Sequence, residues 1–202
     1  MILEGKLNIQ NIRKIGVAGG GIMGSGIAQT LAQYGYKVVV TDIDEKYLEN
    51  TRRIININQK TMIDEGLLTA ELAEETLKNI SYSTDKSVFR DADMIVEAII
   101  EKIEIKQDFW QEVEGIAGDN CIFATNTSGL SINSICSKVL NKKRFIGMHW
   151  WNPSHIIPLI ELIKAEDTSN ETVAVLEELV AAIGKESGVV LKDVRGCIGN
   201  RI

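Results

Sequence analysis

Short runs of apolar and β-branched residues alternate along this chain with longer stretches in which apolar positions recur at helical spacing. Ile12–Ala18, Lys37–Thr41, Met94–Ala98 and Ile122–Thr125 read as strands. Arg144–His149 and Ile157–Ile163 are strand-like, and Val189–Leu191 is one more short run. Between them lie predicted helices: one through about Tyr34, one over Ile103–Ala117, and one over Asn170–Ile183 that Gly184 can end. The polar stretch from Glu45 to Asn79 breaks at Gly66-Leu67-Leu68-Thr69 and predicts two helices joined by a turn, with Thr69 as N-cap. Strands alternating with helices predict an α/β fold, with a doubly wound, mostly parallel sheet and a helical hairpin excursion after the second strand. Pro153 and Pro158 fall in one segment after His149, which predicts a shaped loop rather than a hinge.

Composition narrows the picture without changing it. The chain is 45% hydrophobic and 25% charged, the balance of a globular domain, and 202 residues suffice for one sizeable domain. A net charge of -6 without a block of like charge argues against a nucleic-acid surface. No apolar run approaches the roughly 18 residues of a membrane span, and no signal peptide is visible, so a cytoplasmic location is expected. Cys121, Cys136 and Cys197 form no C-x-x-C pair, and only two histidines are present, so no metal site is expected.

The first candidate chemistry is a glycine-rich turn. Gly19, Gly21 and Gly24 spell G-x-G-x-x-G directly after a predicted strand and at the start of a helix. Such a turn lets backbone approach a pyrophosphate, and Gly21, Ile22, Met23 and Gly24 open a helix whose N–H groups face phosphate. Asp42 follows Gly24 by 18 residues, at the end of the second strand. A carboxylate there accepts bonds from ribose hydroxyls and repels a 2′-phosphate; with no arginine nearby, the pattern favours NAD over NADP. The fold expected is therefore of Rossmann type.

A second group of residues lies downstream. Ala124-Thr125-Asn126-Thr127-Ser128-Gly129-Leu130-Ser131 follows a strand, where polar side chains face the ligand crevice. His149 opens His149-Trp150-Trp151-Asn152-Pro153, and Glu161 lies 12 residues beyond it inside the apolar run Pro158–Ile163. An acid in such a run is costly to bury alone, and His149 is its natural partner. Read singly, His149 is more often structural than catalytic. Ser128 or Ser131 suits a helix N-cap, Lys106 suits a solvated helix face, and Trp150 and Trp151 suit either core or pocket wall.

Taken in order, Gly19–Ala28, Glu97-Ala98-Ile99-Ile100-Glu101, Lys106, Asn126-Thr127-Ser128, His149–Pro153, Glu161 and Asn200-Arg201 resemble the 3-hydroxyacyl-CoA dehydrogenase family across essentially the whole chain. The resemblance implies NAD-dependent oxidation of a 3-hydroxyacyl-CoA to the 3-oxoacyl-CoA. It makes His149 the general base, Glu161 its orienting carboxylate, and Ser128 and Asn200 the groups that hold the substrate. Glu101, Lys106, Asn126 and Asn152 are implied to line the nicotinamide half of the cofactor site. It also implies a homodimer at full length and a C-terminal helical domain. Residues 1–195 are then the NAD-binding domain, and 196–202 the start of a helical domain that is otherwise missing. Such a truncated piece is expected to bind NAD and turn over substrate poorly.

The sequence departs from the family's H-F-F-N-P-V-P at His149-Trp150-Trp151-Asn152-Pro153-Ser154-His155. Its I-P-L-x-E stretch is similar to relatives that oxidise free 3-hydroxy acids such as gulonate or carnitine, which sets an alternative substrate beside the acyl-CoA. A non-catalytic NAD-binding or structural protein is the rival from another class. No motif identifies CoA-binding residues; Arg52, Arg53 and Lys60 are the basic candidates, against a solvated-face reading.

Overall fold

A computed structural model describes residues 7–193. Asn200, Arg201, Cys197 and the 196–202 segment lie outside the described residues. The strands are β1 (Lys14–Ala18), β2 (Lys37–Thr41), β3 (Ile80–Ser83), β4 (Met94–Glu97), β5 (Ile122–Thr125), β6 (Phe145–Trp150), β7 (Leu159–Lys164) and β8 (Glu186–Val190). The helices are α1 (Ile22–Gln33), α2 (Glu45–Asp64), α3 (Ala70–Lys78), α4 (Ile103–Glu114), the short α5 (Ile132–Ile135) and α6 (Asn170–Ala182). The strands form one sheet in the order β3-β2-β1-β4-β5-β6-β7-β8. Its pairs are parallel except β6 with β7. The chain winds outward from β1 to β3 and returns to β4 beside β1, which opens a crevice at the carboxyl ends of β1 and β4.

Alternation along the strands builds two cores, one on each face. Val17, Val40, Val96, Ala124, Met148 and Trp150 pack with Ile27 and Leu31 of α1 and Leu176 of α6. Val39, Ile95, Phe123 and Phe145 pack with Trp110 of α4 and Ile135 of α5. Parallel strands covered on both faces read as continuous apolar runs, which is why they were legible. The α2–α3 hairpin carries its own small cluster of Met62, Leu68 and Ala73. Thr69 caps α3 as expected, its hydroxyl accepting from the Leu72 N–H at 3.2 Å.

β3 has no counterpart among the predicted strands, because its four residues show too little alternation to stand out. Short α5 likewise has none among the predicted helices. Its N-cap is Ser131, which accepts from the Ser134 N–H at 3.2 Å, so capping is not the role of Ser128.

Candidate active site

The cradle between β1 and α1 is shaped by close backbone approach. Gly19 has φ +94°, a conformation L side chains rarely adopt, and a Cβ there would meet the Ala98 carbonyl oxygen at 2.6 Å. At Gly24 a Cβ would lie 1.8 Å from the Gly19 carbonyl oxygen, whereas at Gly21 it would meet nothing within 4 Å. The first and third glycines thus pull turn and helix together, and the second leaves open space over the start of α1. Gly24→Ala is expected to push α1 away from the turn and to weaken NADH binding at least about tenfold, the cost of losing about one hydrogen bond to a charged phosphate. Titration of NADH fluorescence checks this; unchanged affinity would remove the cradle from the site.

Asp42 stands at the end of β2. Its Oδ2 accepts from the Gly20 N–H at 2.8 Å and its Oδ1 from the Ile43 N–H at 2.7 Å. Each carboxylate oxygen keeps a second lone pair, enough for a ribose hydroxyl. Beside it opens a cavity of about 740 Å³, with Gly19, Gly21, Asp42, Ile43, Ile99 and Phe109 among its walls. Among the described residues no arginine lines it. An open-topped glycine turn, a ribose-type carboxylate and an apolar slot fit the phosphates, ribose and adenine of NAD.

Beyond β4 a chain of ionic contacts joins the strand end, α4 and the loop after β5. Glu97 and Lys106 are both buried and form an ion pair. Glu97 also accepts from the Thr125 hydroxyl at 2.7 Å and the Ile99 N–H at 2.9 Å. Lys106 reaches Glu101 at 3.2 Å. Glu101 in turn accepts from the Thr127 hydroxyl and, at 3.1 Å, from the Ser128 N–H. Burial alone would raise the Glu101 carboxyl; the Thr127 bond, the Lys106 charge and the Ser128 N–H outweigh it and hold it below its usual value. These bonds are therefore complete above the ordinary glutamate range and fade as pH falls through the lowered value. Lys106 is not on a solvated face: its relative exposure is 1%.

The paired residues of β6 and β7 complete the arrangement. Antiparallel register sets His149 directly opposite Glu161. Both are buried, and His149 Nδ1 lies 2.7 Å from Glu161 Oε2. The Trp151 ring is 5.0 Å from the imidazole and partly exposed, whereas Trp150 is buried in the first core. Trp150 therefore belongs to the core, and Trp151 lies against the imidazole. Asn126 Oδ1 accepts from the Trp150 N–H at 2.8 Å, which ties the end of β5 to the strand carrying His149. The loop after β6 contains a cis Asn152–Pro153 bond and is closed by Ile157 N–H donating to the Pro153 carbonyl at 2.9 Å. Asn152 is exposed on this loop.

Glu97 is a site residue to which the sequence motif alone assigns no role. An acid inside the apolar run Met94–Ala98 signals burial by the same logic that singled out Glu161. Arg52, Arg53 and Lys60 share one shallow depression on α2, with Arg52 paired to Glu45 and Lys60 to Asp64. Among the described residues no cluster of His, Cys, Asp and Glu can hold a metal, and no helix is long and apolar enough to cross a membrane.

The 3-hydroxyacyl-CoA dehydrogenase, NAD binding domain family model matches residues 14–194. The chain belongs to this family. It is 35% identical over 188 residues to a peroxisomal fatty acid beta-oxidation multifunctional protein of Arabidopsis thaliana, covering 93% of this chain and 26% of the relative. It is 35% identical over 192 residues to 5-formyl-3-hydroxy-2-methylpyridine 4-carboxylate 5-dehydrogenase of Mesorhizobium japonicum, covering 95% of this chain and 61% of the relative. The crystal structure of (S)-3-hydroxybutyryl-CoA dehydrogenase from Ralstonia eutropha superposes with a TM-score of 0.91 at 34% identity, over 95% of this chain and 67% of that one. The chain thus spans between about a quarter and two thirds of the length of these relatives. NAD is the cofactor of this domain family.

Proposed function

We propose that this chain carries the NAD-binding and general-base half of an enzyme that oxidises the 3-hydroxyl of a 3-hydroxyacyl-CoA to a ketone. The observation that carries the reading is the buried contact of His149 with Glu161 at 2.7 Å, on the same sheet as the glycine cradle. When bound, NAD supplies the hydride acceptor. Gly21, Ile22 and Met23 hold its phosphates, Asp42 its adenosine ribose, and Glu101, Lys106, Asn126 and Asn152 its nicotinamide half.

Glu161 accepts the His149 Nδ1–H, which fixes the tautomer that leaves Nε2 as the proton acceptor. His149 Nε2 then takes the proton of the substrate hydroxyl as the C3–H bond breaks, and Glu161 stabilises the imidazolium. Ser128 and Asn200 hold the substrate oxygens so that C3 stays in line. Trp151 walls the imidazole against water. Arg52, Arg53 and Lys60 offer a positive surface on α2 for the phosphates of CoA. A full-length homodimer belongs to the same reading. So does a cytoplasmic location, which suits the free, buried thiols of Cys121 and Cys136.

A second reading keeps this chemistry and replaces the thioester by a free carboxylate. It is favoured by the I-P-L-x-E stretch and by the Mesorhizobium relative, whose name states a pyridine carboxylate. Formation of NADH by the full-length protein separates them. Oxidation of 3-hydroxybutyryl-CoA, with gulonate and carnitine inert, supports the first reading; the reverse supports the second. If neither class is oxidised and NADH still binds, both fail and a non-catalytic role stands.

A further inference from the structure

The loop between β6 and β7 follows His149 directly and carries Trp151 and Asn152. Its own turn makes it a compact unit: the Ile156 and Ile157 N–H groups both donate to the Pro153 carbonyl, at 3.0 and 2.9 Å. On one side this unit docks on α1. The buried Ser154 hydroxyl donates to the Met23 carbonyl at 3.2 Å, in the first turn of that helix. Gly26, one turn further along, leaves room for the contact; a Cβ there would lie 2.3 Å from Ser154 Oγ. On the other side the loop meets the corner between α6 and β8. There Lys185 Nζ donates to the Ile157 carbonyl at 2.6 Å, and the Glu186 N–H to the Pro158 carbonyl at 2.9 Å.

Lys185 is an unusual group to find at this corner. Its relative exposure is 8%. Among the described residues no carboxylate pairs with it, and burial holds its pKa below the ordinary lysine value. Its ammonium meets the Ile157 carbonyl and the Trp150 ring, 5.5 Å from the centroid. Its backbone is itself fixed. Gly184 ends α6 at φ +69°, and the Lys185 N–H closes back on the Val180 carbonyl at 3.0 Å. A buried cation without a counter-ion costs stability, and a methionine would fill the space without that cost. What the ammonium adds is a charge-assisted bond to one carbonyl of the loop, stronger than a neutral donor would make.

We propose that Lys185 is a positioning residue: by fixing Ile157 from the α6–β8 corner it holds the loop after β6 against the first turn of α1, and so sets the place of Asn152 and Trp151 beside His149 and the cofactor. The charge is kept for geometry at the expense of stability, a trade-off expected where a fold serves a site. Misplacing a group that orients the reactants by about 1 Å costs on the order of 100-fold in rate. The kinetic consequence rests on the dehydrogenase reading; the structural one does not.

The test uses the full-length protein with Lys185→Met and Lys185→Arg. Lys185→Met is expected to melt at or above the wild-type temperature, because an uncompensated charge is removed. It is expected to lower kcat for 3-hydroxybutyryl-CoA about 10- to 100-fold and to raise deuterium exchange over 152–157. NADH affinity is expected to stay as it is, since the glycine cradle and Asp42 are untouched. Lys185→Arg keeps a cationic donor and is expected to recover most of the lost rate. Wild-type kcat in Lys185→Met, together with unchanged exchange over 152–157, would overturn the proposal. So would a Lys185→Met protein that melts well below wild type or fails to fold, because the ammonium would then serve stability. A loss of NADH affinity as large as the loss of kcat would overturn it as well. A wild-type protein that oxidises no hydroxyacyl-CoA would sink the dehydrogenase reading alone, because the melt and the exchange still decide whether Lys185 holds the loop.

Discussion

Replacing His149 with alanine is expected to slow hydroxyl oxidation by about 100- to 10,000-fold, the usual contribution of a positioned general base. Affinity for NADH is expected to stay as it is. The two readouts separate because His149 stands on β6, across the β5 strand from the crevice between β1 and β4 where the cradle lies. Removing the imidazole also leaves Glu161 buried without its partner, so some loss of stability accompanies the loss of rate. Steady-state rates, NADH titration and a thermal melt on one preparation distinguish these effects. A variant that retains wild-type kcat would show that the His149–Glu161 pair is structural.

The second large effect concerns stability. Lys106→Met is expected to destabilise the fold by about 3–5 kcal/mol, the cost of leaving a buried charge without its counter-ion. Glu97 would keep its bonds from Thr125 and the Ile99 N–H but lose the cation beside it. Removing both charges together, as Glu97→Gln with Lys106→Met, is expected to restore most of the stability, since a buried pair contributes little beyond its own desolvation. Urea unfolding of the single and double variants measures this directly. A loss in the double variant equal to the sum of the Lys106→Met and Glu97→Gln losses would mean the pair is not coupled. The same lysine supports Glu101, so the single variant should also loosen the Thr127–Ser128 turn.

The two ion pairs behind these effects are legible in the sequence to different degrees. The glycine turn, Asp42 and the strand–helix alternation are local features, and a chain of this pattern announces them residue by residue. His149 and Glu161 were paired in the sequence by a cost argument: a carboxylate inside an apolar run needs a partner. That cost identifies the partner but carries no geometry. Applied to Met94–Ala98, it also picks out Glu97. Lys106 gave the opposite impression, because a lysine at helical spacing among Glu104, Gln107 and Asp108 resembles a solvated face. Its burial follows only from where α4 lies against β4.

By itself the sequence determined the layering, the phosphate turn and the identity of most groups in the candidate site, because periodicity and turn chemistry depend on neighbours within a few positions. The tertiary structure alone decided the antiparallel return of β7 that sets His149 opposite Glu161, and the burial of Lys106 against Glu97. It also decided that Trp150 is core while Trp151 lies against His149, and the reach of Asp193 back to Ser131. Each of these joins residues on separate strands or loops, and no local propensity encodes which distant backbone will lie alongside.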